Sequence, residues 1–286
     1  MQKRLSLAGV SRMLLILIGI WIIWIIVVWS IQHRIMFPAS MIDASRILTG
    51  APSGVESIWL TDNGDRIESW FIPGKGVSAE TPGPVVVFAH GNGELIDDNL
   101  DLTWLADLGT SVLLIEYRGY GRSTGSPSQR NLVSDTTRFV ELLTQRPEVD
   151  PDRIGFMGRS IGCSVLAQVA RSHPPNAMIM MVPPARLDSM AWRFGVPPFM
   201  VRSPFRTDLA VREFDSPLLL LPRDGDEIIP EGHAEIIDAN ASNSTIITLR
   251  GHHNWLDDSN EVKRQHKAIK AFLLSNGILK PDVDQP

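Results

Sequence analysis

Residues 153–171 read RIGFMGRSIGCSVLAQVAR, and this stretch decides the fold class. RIGFM is an apolar run of strand length, and the residues from Ile161 onward put apolar and small side chains at helical spacing. Between them, Gly158-Arg159-Ser160-Ile161-Gly162 fits the G-x-S-x-G pattern, in which a serine sits on a sharp turn from a strand into a helix. Glycine is required there because side chains two residues either side of the serine would collide with the turn and the neighbouring strand. Ser160 is the candidate nucleophile; the plainer reading is an ordinary strand-to-helix turn.

Working outward, apolar runs of strand length alternate with helical patterns. Strands are predicted at Glu56 to Leu60, Arg66 to Ile72, Val85 to Ala89, Ser111 to Glu116, Arg153 to Met157, Ala177 to Val182, Pro217 to Leu221 and Thr245 to Leu249. VVVFA, VLLIE, MIMMV and LLLL are continuous apolar runs, as in strands covered by helices on both faces. Helical patterns fall at about 97–108, 131–145, 161–172, 231–240 and 261–275. The expected fold class is α/β, a mostly parallel eight-stranded sheet flanked by helices.

A serine hydroxyl needs a base to take its proton and an acid group to orient that base. On a sheet of this kind, the loops past the carboxyl ends of the strands converge on one edge. After PLLLL comes a loop holding Asp224 and Asp226; after TIITL comes one holding His252 and His253. Each loop therefore offers two candidates. Backbone donors for a developing oxyanion would come from Ile161, after the serine, and from Asn92 and Gly93 in the loop Ala89-His90-Gly91-Asn92-Gly93. His90 precedes the serine in the chain and is expected to be structural.

Taken together, HGNG after a buried strand, YRGYGRSTGSPS at 117–128, GRSIG at 158–162, DEIIP at 226–230 and HHN at 252–254 resemble the α/β-hydrolase superfamily. More narrowly, they resemble its membrane-anchored serine hydrolases. The resemblance covers roughly residues 50 to 275 and implies an α/β-hydrolase fold, with hydrolysis of an ester, thioester or lysophospholipid. By motif register it favours Asp226 over Asp224 and His253 over His252, so the implied catalytic set is Ser160, Asp226 and His253. No cofactor and no metal are implied. Three departures from the family pattern stand out. Pro222-Arg223 replaces a His-Gly pair, Cys163 stands where a further glycine is common, and the loop after the sixth strand reads Val182-Pro183-Pro184-Ala185-Arg186.

Several residues have a bland reading beside the sharp one. Arg159 is expected in a local ion pair rather than on an anionic substrate. Cys163 is expected to be buried and inert. His252, His253, Asp257 and Asp258 are not expected to hold a metal, because adjacent histidines rarely converge on one ion. The glycine-rich 117–128 run is expected to support the oxyanion region rather than bind phosphate. Apolar residues within 184–211, notably MAWRFGVPPFMVRSPF, suit either a lid over an acyl pocket or a packed connection.

At the amino end, residues 13–32 carry no charge, and 20 residues at helical rise span roughly the 30 Å of a bilayer's hydrocarbon layer. A single transmembrane helix is expected, within an anchor and connector of residues 1–40 preceding a catalytic domain of 41–286; a cleaved signal peptide is the competitor. Lys3, Arg4 and Arg12 before the span, against Arg34 and Arg46 after it, favour a cytoplasmic amino end and an extracytoplasmic domain. Those first basic residues also mean that the body is more acidic than the chain's net −5, a poor match for nucleic acid. With one cysteine, no intrachain disulfide can form.

The expected activity is that of a serine hydrolase cleaving a carboxylic ester or thioester, on a small-molecule or lipid acyl substrate, through an acyl-enzyme on Ser160. Two alternatives use the same fold: an acyltransferase with an alcohol in place of water, and a silent membrane-tethered scaffold. Retention of serine, histidine and acid in order argues against the scaffold.

Overall fold

The computed structural model describes residues 7–280. Helix α1 (Leu7–Met36) leads to an eight-stranded sheet formed by β1 (Glu56–Asp62), β2 (Asp65–Ile72), β3 (Gly83–Ala89), β4 (Ser111–Ile115), β5 (Val149–Arg159), β6 (Ala177–Met181), β7 (Leu218–Leu221) and β8 (Ser244–Ile246). The spatial order is β1-β2-β4-β3-β5-β6-β7-β8. β2 runs antiparallel to both β1 and β4, and every other pair is parallel. All eight strands lie where the apolar runs put them.

Helices cover both faces, which explains the unbroken apolar runs. Val85, Val87 and Ala89 of β3 face a core shared with α3 (Gln129–Thr144) and α4 (Ile161–Ala170). Val86 and Phe88 face the opposite core, shared with the short α2 (Thr103–Asp107) and with α8 (Ser259–Ser275). Burying each such Val, Leu or Phe contributes about 1.5–3 kcal/mol, so β3 and its neighbours are fixed in register by their side chains. The parallel crossovers then bring the carboxyl ends of β3, β5, β7 and β8 to one edge.

Three elements differ from their predicted form. The 97–108 pattern is a 3₁₀ stretch (Ile96–Leu102) followed by α2, with a kink at Asn99. The eighth strand pairs regularly only to Ile246, although Ile247 and Leu249 still donate to the Leu220 and Pro222 carbonyls at 2.9 and 3.0 Å. Pro222 has no N–H to give back, which interrupts the ladder at that point. Between β6 and β7 the chain forms a string of short turns: α5 (Leu187–Met190), 3₁₀ turns at Ala191–Phe194 and Pro198–Met200, and α6 (Thr207–Ala210). α7 (His233–Asp238) precedes β8.

α1 is longer than the expected 13–32 span. Residues Ala8–Met36 are long and apolar enough to cross a membrane, and most of their large side chains are exposed.

Candidate active site

The turn from β5 into α4 places Ser160 at φ 52°, a conformation L residues rarely adopt, with its N–H donating to the Met181 carbonyl at 2.9 Å. The flanking glycines permit the turn. A Cβ on Gly162 would lie 2.0 Å from the Ala89 carbonyl oxygen, and one on Gly158 would lie 2.5 Å from the Cys163 nitrogen. The close packing of α4 on β3 that the motif requires is thus present in atomic detail.

His253 lies across the sheet edge with Nε2 3.0 Å from Ser160 Oγ. Its Nδ1 is 2.8 and 3.0 Å from the two carboxylate oxygens of Asp226. Asp226 Oδ1 also accepts from the amides of Ile228 and Ile229, at 2.9 and 2.8 Å. Burial opposes ionisation of Asp226, but the His253 bond and the two amides outweigh it and hold the carboxyl below its ordinary range. An ionised carboxylate can only accept, so Nδ1 carries a proton, and in that tautomer of the neutral imidazole Nε2 is the acceptor.

The competing residues lie elsewhere. Asp224 is exposed and accepts from the Gly251 amide at 3.3 Å, clasping the two loops together. His252 is exposed, 3.4 Å from Glu227 and packed on the Trp255 ring.

Arg223, singled out above only as a departure from the family pattern, is buried and donates to the carbonyls of His252 and His253, both at 2.7 Å. Burial, with Arg159 nearby, pushes its guanidinium down to about 10. It ties the loop of Asp226 to the loop of His253, a role that sequence reasoning missed because only the contact reveals it. Arg223→Met should leave two carbonyls unpaired, cost about 2 kcal/mol, and lower kcat more than it raises KM. Apparent Tm in detergent and ester kinetics check this.

Of the oxyanion candidates, Asn92 and Ile161 line the same cavity as Ser160. Gly93 is exposed and does not line that cavity, and its carbonyl accepts from Arg46 at 3.3 Å. His90 is fully buried, with Nε2 2.8 Å from Glu116 and Nδ1 2.7 Å from the Gly91 carbonyl. Burial works against its charged form, but Glu116 prevails and its pKa is raised. Tyr117 donates to the His90 carbonyl at 2.6 Å, completing the support of the 90–93 loop. His90 is therefore structural, as expected.

The 117–128 run is also held internally. Arg118 pairs with Asp135, Asp62 and Asp65, and Arg122 pairs with Glu68 and Asp97. Arg159 pairs with Glu94 at 2.9 Å. Cys163 is buried against the Met181 carbonyl, and burial pushes its thiol far up, which makes it unreactive.

His233 is a further residue without a sequence signal. Its Nδ1 accepts from the Ala185 amide at 2.9 Å, anchoring the loop after β6. Burial, then Arg193, lowers its pKa from 6.5, although Asp226 and Asp208 act the other way. The folded state therefore binds this proton less readily than the unfolded one, and stability should fall as the pH drops below about 6.5. His233→Asn should flatten that loss; apparent Tm measured from about pH 7.5 to about pH 5.5 tests it.

Comparison with known proteins bears on the fold and the family. A family described as serine aminopeptidase, S33 (Hydrolase_4) matches residues 80–213. The chain is 30% identical over 208 residues to the alpha/beta hydrolase domain-containing protein WAV2 of Arabidopsis thaliana, covering 65% of this chain and 67% of that one. It is 27% identical over 218 residues to lysophosphatidylserine lipase ABHD12 of Danio rerio, covering 67% of this chain and 56% of that one. Among solved structures, Thermogutta terrifontis esterase 2, phosphoramylated by tabun, superposes with a TM-score of 0.65 at 16% identity, over 82% of this chain and 98% of that one.

Proposed function

Because this chain belongs to the α/β-hydrolase superfamily, we propose that it is a membrane-anchored serine hydrolase of carboxylic esters or thioesters, acting on lipid-like acyl groups. The observation that carries this reading is His253 bridging Ser160 and Asp226 at 3.0 and 2.8 Å. Ser160 Oγ attacks the acyl carbonyl while His253 Nε2 takes the hydroxyl proton. Asp226 holds the imidazole in the required tautomer and stabilises the imidazolium. The tetrahedral oxyanion is met by the amides of Ile161 and Asn92. Collapse breaks the ester C–O bond, and the departing alkoxide takes the proton from Nε2. Water, deprotonated by the same nitrogen, then attacks the acyl-enzyme; the bond from the acyl carbon to Ser160 Oγ breaks, Oγ recovers the proton from Nε2, and the acid is released.

Support for a lipid-like acyl group comes from the cavity of about 310 Å³ that ends on Ser160, whose lining is largely apolar. The relative named as a lysophosphatidylserine lipase points the same way. In this reading, residues 1–40 anchor a catalytic domain of 41–286, residues 184–211 act as a cap, and the domain lies on the extracytoplasmic side. Reporter fusions at each terminus test sidedness. The chemistry is tested by fluorophosphonate labelling of the membrane-bound protein, with loss in Ser160→Ala and His253→Ala expected; an unlabelled, folded wild type overturns it.

A further inference from the structure

The cavity over Ser160 has two walls. One is the last turns of α1, with Val28, Trp29 and Met36; the other is the segment after β6, with Met190, Phe194 and Val196. The helix read as the tether thus borders Ser160.

The same two elements are joined along their length. Trp24 Nε1 donates to the Phe194 carbonyl at 2.7 Å and Trp21 Nε1 to the Gly195 carbonyl at 3.2 Å. Gln32 donates to the Met200 carbonyl at 3.3 Å and accepts from the Arg202 amide at 2.9 Å, and the Arg202 guanidinium lies 4.9 Å over the Trp29 ring. From Trp21 to Gln32 the helix rises roughly 16 Å, about one leaflet of a hydrocarbon layer of roughly 30 Å. Residues 191–202 therefore lie beside the half of the span nearest the catalytic domain.

That placement suits immersion in lipid. Irregular backbone at membrane depth must have its polar groups satisfied within the protein, and here two indoles and an amide side chain cap carbonyls of the segment. Gly195 and Val196 donate to Trp192 and Ala191, Met200 and Val201 donate to Pro197 and Pro198, and the two prolines have no N–H to satisfy. Its exposed side chains include the aromatics Trp192, 60% exposed, and Phe199, 86% exposed, beside Arg193 and Arg202. Arg193, although exposed, donates to the Ile228 carbonyl at 3.0 Å, and the Arg202 guanidinium is held over Trp29.

We propose that residues 191–202 are inserted in the adjacent leaflet and, with the end of α1, form a lateral portal through which a bilayer-resident ester bearing one extended acyl chain reaches Ser160. This rests on the serine-hydrolase reading above. One chain follows from the volume, which is at the small end for ligand pockets. The anchor helix is then part of the substrate site, with Val28 setting chain specificity.

The test uses the full chain in phosphatidylcholine proteoliposomes with 4-methylumbelliferyl palmitate, which partitions into the bilayer, and 4-methylumbelliferyl acetate, which does not. Val28→Trp narrows the pocket from the helix side, and Phe199→Asp disfavours insertion of the segment. The palmitate-to-acetate ratio of kcat/KM should fall at least about tenfold in each. If Val28→Trp does not accumulate, Met190→Trp narrows the pocket from the facing wall and should shift the ratio the same way. Ratios within about twofold of wild type, with acetate still cleaved, overturn the portal while leaving the hydrolase intact. A wild type that turns over neither ester and takes no fluorophosphonate overturns the hydrolase reading itself.

Discussion

Ser160→Ala should lower kcat on any accepted ester by on the order of 10⁶ and abolish fluorophosphonate labelling. The substitution removes one oxygen from a site whose other parts stay in place, since the backbone of the turn is held by the Ser160 amide to Met181 and by the two glycines. What remains is binding and the amides of Ile161 and Asn92, which cannot form an acyl-enzyme. Folding should be little affected, so apparent Tm separates lost chemistry from lost structure. Hydrolysis surviving at even a hundredth of wild type would show that the nucleophile is not this serine.

Asp226→Asn should cost about 10⁴ in kcat with little change in KM. The carboxylate accepts a hydrogen bond from the Nδ1–H of His253 at 2.8 Å and is itself fixed by the Ile228 and Ile229 amides. An amide there can turn its NH₂ toward Nδ1, which reverses the tautomer and puts a proton on Nε2, where an acceptor is needed. The same carboxyl also carries a pH signature. Its folded-state pKa lies below the ordinary 3.8, so its stabilisation is complete above that value and is lost as the pH falls through the lower folded value. In Asp226→Asn that component of acid unfolding should vanish, and Asp224→Asn should leave kcat near wild type. A large loss in Asp224→Asn with activity retained in Asp226→Asn would reverse the assignment.

The sheet was legible because its strands announce themselves twice, by continuous apolar runs and by the turn residues that bound them. Ser160 was legible for a related reason: glycines at 158 and 162 answer to backbone collisions, which are local and so leave a mark in sequence. Choosing between Asp224 and Asp226, or His252 and His253, needed the family register, because both members of each pair sit in the same loop and differ only in where the chain turns them. Arg223 was visible as an oddity, but its task is to bridge two loops about thirty residues apart, and no spacing rule encodes that contact. His233 likewise acts on Ala185 across a long stretch of chain. The wall that α1 lends to the cavity left no trace, since an apolar residue facing a pocket reads the same as one facing lipid.

The bonds from Trp21, Trp24 and Gln32 to the segment after β6 have a mechanical consequence. At about 100° per residue these three positions fall within one narrow arc of α1, so the helix is keyed to the body like a shaft in a slot. It can neither slide nor spin to suit a bilayer of another thickness. On the membrane-anchored reading, a thicker membrane must thin around the molecule, and a thinner one must tilt it as one rigid piece or thicken around it. Inserting a single residue between Trp24 and Gln32 would turn the two halves of the key out of line, at a site remote from any reacting atom.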